Sequence, residues 1–123
     1  MPHSRLLFKL RTYNLNSELV SWITDFLRNR KQCVVLNEEC SSWYRVMSGI
    51  PQGSILGPLL FLIFINHLPE LCNEKDSSCD IFLYADDSKM YKSIRTKDDQ
   101  QNLQSVIDLV QKWSDKWLLK LNN

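Results

Sequence analysis

All three glycines of this 123-residue chain, and two of its four prolines, fall in one stretch: Ser48-Gly49-Ile50-Pro51-Gln52-Gly53-Ser54-Ile55-Leu56-Gly57-Pro58-Leu59-Leu60-Phe61. Glycine reaches backbone conformations closed to other residues and lets a ligand approach the main chain, so tight turns and close contacts concentrate here. Pro51 stiffens the loop and has no N–H to donate. Gln52 offers one acceptor and two donors. Ser54 is a plausible N-cap for the apolar run over residues 55–65, which predicts a buried helix with Pro58 in its first turn. A plain Gly/Pro turn before a core helix is the alternative, and it leaves the particular order of this string unexplained.

About thirty residues further on stands Tyr84-Ala85-Asp86-Asp87. The apolar run Ile81-Phe82-Leu83-Tyr84 before it is aromatic and branched, as a buried strand requires. Ser88-Lys89-Met90-Tyr91-Lys92-Ser93-Ile94 alternates polar with larger residues, as a returning strand does. Two adjacent carboxylates are thus predicted at the tip of a β-hairpin. Hard oxygen ligands suit Mg²⁺, which keeps several waters and takes one or two carboxylates plus substrate phosphates. Alone, an Asp-Asp pair also fits an ordinary solvated turn.

The two segments together resemble the palm of a reverse transcriptase of the non-LTR retrotransposon (LINE-like) class, with group II intron enzymes more distant. Pro2-His3-Ser4-Arg5-Leu6-Leu7 is similar to the stretch after the family's first catalytic motif. Residues 22–30, Cys33-Val34-Val35-Leu36 and residues 113–122 also fall in the family's order. The resemblance implies an α+β fold, an incomplete polymerase palm whose antiparallel sheet has helices packed on one face. It makes residues 1–123 a partial reverse transcriptase domain, truncated at both ends. Residues 1–48 would be fingers/palm connecting helices and a hairpin, and 49–123 the palm core.

The implied activity is RNA-directed DNA polymerisation with two Mg²⁺ ions, or Mn²⁺ in their place, on an RNA template, a DNA primer and deoxynucleotides. By motif position Asp86 would bridge both metals, with Asp87 a lesser ligand or a partner behind it. Tyr84 and Ala85 would lie under the primer end and the incoming sugar. Gln52 and Gly53 would border the nascent base pair, where a bulkier side chain would clash, and Gly49, Ile50 and Pro51 would shape that loop. Lys120 is a candidate for the basic residue near the leaving pyrophosphate. The family also needs a metal-binding Asp on a strand before Pro2-His3, together with the aromatic gate against ribonucleotides and a thumb, and this sequence contains none of them. The expectation is a fragment inactive alone. The alternative is a non-enzymatic palm-like remnant that binds nucleic acid or a partner protein. His67 stands where the family usually carries Asp; it and His3 read as structural or exposed. A sheet lacking one strand leaves an open edge, which predicts self-association.

Composition is that of an ordinary globular protein, 44% hydrophobic and 24% charged with a net charge of +1. Its charges are unevenly spread. Residues 1–32 hold six bases (Arg5, Lys9, Arg11, Arg28, Arg30, Lys31) against Glu18 and Asp25; residues 66–80 hold four acids against Lys75. The basic part is a candidate phosphate-facing surface or a merely solvated one, and the acidic part would point away from nucleic acid. Cys33, Cys40, Cys72 and Cys79 show no C-x-x-C spacing and read as reduced thiols of an intracellular, nuclear or cytoplasmic protein, with zinc or disulfides as the alternative. No run reaches the roughly 18 to 20 apolar residues of a membrane span, so no membrane partner is expected.

Periodicity predicts helices over residues 4–11 and from Asn16 or Ser17 to about Asn29. It predicts a hairpin of strands 32–37 and 43–47 joined by Glu38-Glu39-Cys40-Ser41. The buried helix follows over 54–66, ended by Pro69, and a polar loop over 73–78 leads to the acidic hairpin. Residues 97–117 form an amphipathic helix with Leu103, Val106, Ile107, Val110, Trp113 and Trp117 inward, and a last strand starts over 118–121.

Overall fold

Leu6 and Leu10, one helical turn apart, set the inner face of α1 (His3–Thr12), and both are fully buried. Its last turn carries Lys9 and Arg11, the favoured sign at a helix C-terminus. Asn16 caps α2 (Ser17–Leu27) by accepting the Glu18 N–H at 2.8 Å. Val20, Ile23, Thr24 and Leu27 are the buried positions of α2, which packs on α1. These elements come from a computed structural model that describes residues 1–122. The chain divides into two compact units, Met1–Gly57 and Pro58–Asn123.

In the first unit the expected hairpin forms, but tighter and in two pieces. β2 (Val35–Leu36) pairs with β3 (Glu39–Cys40), so the turn is the two residues Asn37 and Glu38 rather than residues 38–41. Both have positive φ, 47° and 69°, as a two-residue hairpin turn matched to strand twist requires. β1 (Lys31–Gln32) pairs with β4 (Tyr44–Arg45) in a register shifted by one residue. Val34 still pairs with Ser41, donating its N–H to Ser41 Oγ and accepting the Ser41 N–H, each at 2.9 Å. The extra residue therefore lies at Ser42-Trp43 opposite Cys33, a bulge that breaks one ladder into two.

The second unit is built on α3 (Leu56–Ile65), α4 (Leu68–Lys75) and α5 (Lys97–Trp117). Pro69 does not end the helical run. It occupies the first turn of α4, where its missing N–H costs nothing, so residues 73–75 are helix rather than loop. The stretch Leu56–Lys75 is in consequence 20 residues and contains 18 with a mean hydropathy of 1.3, by length and composition enough to cross a membrane, unlike the shorter run isolated in the sequence. A buried core helix passes the same test. Leu60 and Phe64 are almost fully buried, and the Phe64 ring meets Trp117 edge-on at 5.7 Å and Trp113 at 6.4 Å.

Thr96 and Asp99 form a reciprocal capping box at the start of α5. Val106, Val110, Trp113, Ser114 and Trp117 are its buried face; Ile107, predicted inward, is 41% exposed. At its end the chain turns through Leu118 at φ 53°, and Ser114 Oγ donates to the Leu119 carbonyl at 2.6 Å. Residues 119–122 then form no strand, which corrects the sequence expectation.

β5 (Asp80–Tyr84) and β6 (Asp87–Tyr91) complete the unit, with α4 packed on β5 and α5. The architecture is α+β, but among the described residues the strands form three separate two-stranded antiparallel sheets where one was expected. Two are halves of the bulged hairpin, and the third is the acidic one.

Candidate functional site

The register of the acidic hairpin runs from Asp80↔Tyr91 to Tyr84↔Asp87, leaving Ala85 and Asp86 as the turn. Ala85 takes φ 50°, where a Cβ costs about 1 kcal/mol and glycine is the usual occupant. Five paired residues on each strand hold the turn in place. Alternation along the strands half-buries Ile81, Leu83 and Met90, while Phe82 and Tyr84 face outward. Asp87 lies directly across from Tyr84 on that outward face, and Asp86 stands at the apex. Phe82 and Tyr91 stack diagonally across the same face, 5.5 Å apart and nearly parallel. Both carboxylates are open to solvent.

The foot of this hairpin is tied down by a group that sequence reading passed over. Lys92, just past β6, forms an ion pair with Asp76, just past α4, and its Nζ also donates to Ser78 Oγ at 2.7 Å. The Ser78 N–H and hydroxyl donate to Asp76 Oδ1 at 3.0 and 2.7 Å. The hydrogen bond from Lys92, then those from Ser78, hold the Asp76 carboxyl down to about 2. Asp76 had counted only as one charge in an acidic loop; its spacing of two from Ser78, an Asx-turn signature, was the available signal.

The glycine loop has an equally specific local frame. Pro51 O accepts from the Ser54 N–H at 3.2 Å and from Ser54 Oγ at 2.7 Å, closing a turn over Gln52 and Gly53. Gly53, at φ +78°, takes the third position of that turn, which needs a positive φ. A Cβ there or at Gly49 (φ +81°) would meet nothing within 4 Å, so within the chain both glycines are needed for conformation rather than room. Gly57 is the reverse case: a Cβ would stand 3.1 Å from Ser54 Oγ and 3.4 Å from Pro51 O. The Gly57 N–H donates to Ser54 Oγ at 3.1 Å, which makes Ser54 the helix cap that the sequence predicts. Gln52 projects into solvent.

Each histidine, read from the sequence as structural or exposed, makes a specific contact. His3 Nε2 lies 2.8 Å from the Gly49 carbonyl, and an isolated bridge pairs Pro2 with Ser48. His67 Nε2 accepts the Trp113 indole N–H at 2.8 Å, between the rings of Trp113 and Trp117. Lys120 is exposed on the irregular segment after α5. The candidate residues thus form two groups: Gly49, Pro51, Gln52 and Gly53 on one loop of the first unit, and Tyr84, Ala85, Asp86 and Asp87 on one turn of the second.

Their chemistry fits a divalent cation in part. Two exposed carboxylates on one turn are hard donors of the kind that bind Mg²⁺ with water and phosphate oxygens. Among the described residues no group of three or more His, Cys, Asp or Glu side chains converges on a site that could hold a metal ion.

The family model for reverse transcriptase (RNA-dependent DNA polymerase) matches residues 1–123, and the chain belongs to that family. It is 32% identical over 98% of its length to the RNA-directed DNA polymerase from mobile element jockey of Drosophila funebris, and 29% identical to that of Drosophila melanogaster. A probable RNA-directed DNA polymerase from transposon BS of Drosophila melanogaster is 30% identical over 81% of the chain. These relatives bear out the non-LTR retrotransposon class read from the sequence. The chain spans only 12–13% of their lengths. No solved structure matches it.

Proposed function

We propose that this chain is a segment of the polymerase core of a non-LTR RNA-directed DNA polymerase, in which Asp86 and Asp87 hold catalytic metal. The observation that carries this reading is the paired five-residue hairpin that presents two adjacent carboxylates at a solvent-open turn. When bound there, Mg²⁺, or Mn²⁺ in its place, neutralises charge on the attacking and leaving oxygens. In the reaction, the primer 3′-hydroxyl oxygen bonds to the α-phosphorus of a deoxynucleotide as the bond to pyrophosphate breaks. Asp86 is the main metal ligand and Asp87 the lesser. Tyr84, 83% exposed beside Ala85, gives the primer end a flat surface. Gln52 and Gly53 border the nascent base pair, Gly49 and Pro51 hold that loop, and the RNA template and DNA primer are the macromolecular partners. Residues 1–48 join fingers to palm and 49–123 belong to the palm core. The setting is intracellular, nuclear or cytoplasmic.

The test is RNA-templated primer extension by a non-LTR polymerase whose matching segment is replaced by residues 1–123. Asp86→Ala should lower its rate by at least about a hundredfold, the scale of lost electrostatic stabilisation. An Asp86→Ala chimera as active as its parent would refute the assignment. The 123-residue chain alone should not extend a primer, because the described residues supply too few ligands for two ions. That same shortage supports a second reading, a palm-like remnant that binds nucleic acid or a partner protein without chemistry. An inactive chimera that still binds primed template would favour it. Exposed strand edges also suggest self-association, to be seen as concentration-dependent sedimentation.

A further inference from the structure

The bulged hairpin over residues 31–45 has opposite charges at its two ends and an apolar middle. Glu38 in its two-residue turn and Glu39 at the start of β3 form an acidic tip. At the foot, Lys31 stands directly opposite Arg45. Between them Val34, Val35, Leu36, Trp43 and Tyr44 are each at least 63% exposed. We propose that this hairpin is a docking surface for a second copy of the chain, the two hairpins lying antiparallel so that each acidic tip meets the other's basic foot. This rests on the self-association reading above and narrows it to one hairpin and one arrangement, with no need of metal or nucleic acid.

Three observations favour a second copy. First, the charges are unmatched within the chain. Lys31, Glu38, Glu39 and Arg45 are all exposed, and none forms an ion pair among the described residues. Like charges directly opposite each other destabilise a ladder, so the Lys31–Arg45 pairing costs the isolated hairpin stability. A carboxylate brought between those two cations relieves the repulsion.

Second, the order of acidic tip, apolar middle and basic foot is its own complement when the hairpin is turned end over end. A two-fold axis through the middle matches tip to foot twice and lays apolar residues on apolar residues, the condition for a closed, isologous pair. A parallel arrangement would set foot against foot and tip against tip, which the same charges oppose. A partner of any other sequence would have to reproduce this order independently. Third, the basic foot comes with an aromatic anchor. Trp43 lies two residues from Arg45 along the chain and so on the same face, which Lys31 shares by register. Tryptophan and arginine are the residue types that most often carry binding energy at protein interfaces. Exposed apolar surface rimmed by charge is also what such interfaces bury.

The test is sedimentation equilibrium of the 123-residue chain in EDTA at about 0.15 M salt, where distant surface charges are screened. The chain should form a discrete dimer. Tip reversal (Glu38→Lys/Glu39→Lys) and foot reversal (Lys31→Glu/Arg45→Glu) should each raise its dissociation constant by at least about tenfold. Mixed in equal amounts, the two variants should pair with each other as tightly as the parent pairs with itself, because every tip–foot contact is attractive again. That rescue also shows both variants to be folded. Lys97→Glu/Lys112→Glu on α5 carries the same net charge as the foot reversal and should dimerise within about twofold of the parent. Asp86→Ala should dimerise normally, so a failure of the metal assignment leaves this result intact. A monomer at every concentration would overturn the proposal and the self-association reading together. A dimer that both reversals leave unchanged, or reversals that fail to rescue each other, would overturn the tip-to-foot arrangement alone.

Discussion

The chain contains two hairpins, and they are built on opposite principles. The hairpin over residues 31–45 is a bare ladder broken by a bulge, with Val34, Val35, Leu36, Trp43 and Tyr44 all more than 60% exposed. The hairpin of β5 and β6 is unbroken, half-buried on its inner face and braced by α4 and the Asp76–Lys92 pair. A bare ladder can adapt to a long flexible ligand, whereas placing carboxylates at a fixed spacing calls for a supported one.

The comparison breaks most sharply at Phe64. Phe64→Ala removes a fully buried ring from the core shared with Trp113 and Trp117, and should cost about 3–5 kcal/mol in denaturant unfolding. Val35→Ala on the bare hairpin should stay within about 0.5 kcal/mol, the range of exposed surface changes. A smaller loss is expected at His67, whose imidazole accepts the Trp113 indole N–H. His67→Ala should cost about 1–3 kcal/mol by stranding that donor, and Trp113 fluorescence should shift as its environment changes. Thr96→Ala removes half of the capping box and should cost about 1 kcal/mol, read as an earlier thermal transition.

Acid sharpens the same contrast. The Asp76 carboxyl is held from its ordinary 3.8 down to about 2 in the folded chain, so it stabilises the fold fully only above the unfolded value. That contribution is lost as pH falls from about 4 towards 2. Lys92→Met removes the main cause and should move acid unfolding, followed by circular dichroism, to higher pH. If the midpoint stays put, the ion pair does not brace the hairpin.

Much of this was legible in residue order. The Asn16 and Ser54 caps, the apolar face of α5 at Val106, Val110, Trp113 and Trp117, and the Tyr84–Asp87 hairpin all follow from local patterns. What was missed depends on contacts between distant residues or on fine backbone geometry. The bulge at Ser42-Trp43 arises from a one-residue offset between two pairings, which alternation alone does not reveal. Pro69 reads as a helix stop unless the helix is known to restart beneath it. The Lys92–Asp76 pair spans a turn and a whole hairpin, so no local window contains both partners. The Lys31–Arg45 opposition was hidden for the same reason: charge counts see the bases, and only the register sets them face to face.

The central claim is that the turn at Tyr84–Asp87 holds a divalent cation, and Mn²⁺ titration of the isotope-labelled chain tests it most directly. Paramagnetic broadening should appear first at Tyr84, Ala85, Asp86 and Asp87, and should vanish in Asp86→Asn/Asp87→Asn. Broadening that starts at Glu38-Glu39 or at Glu70 and Glu74, and persists in that double substitution, would contradict the account.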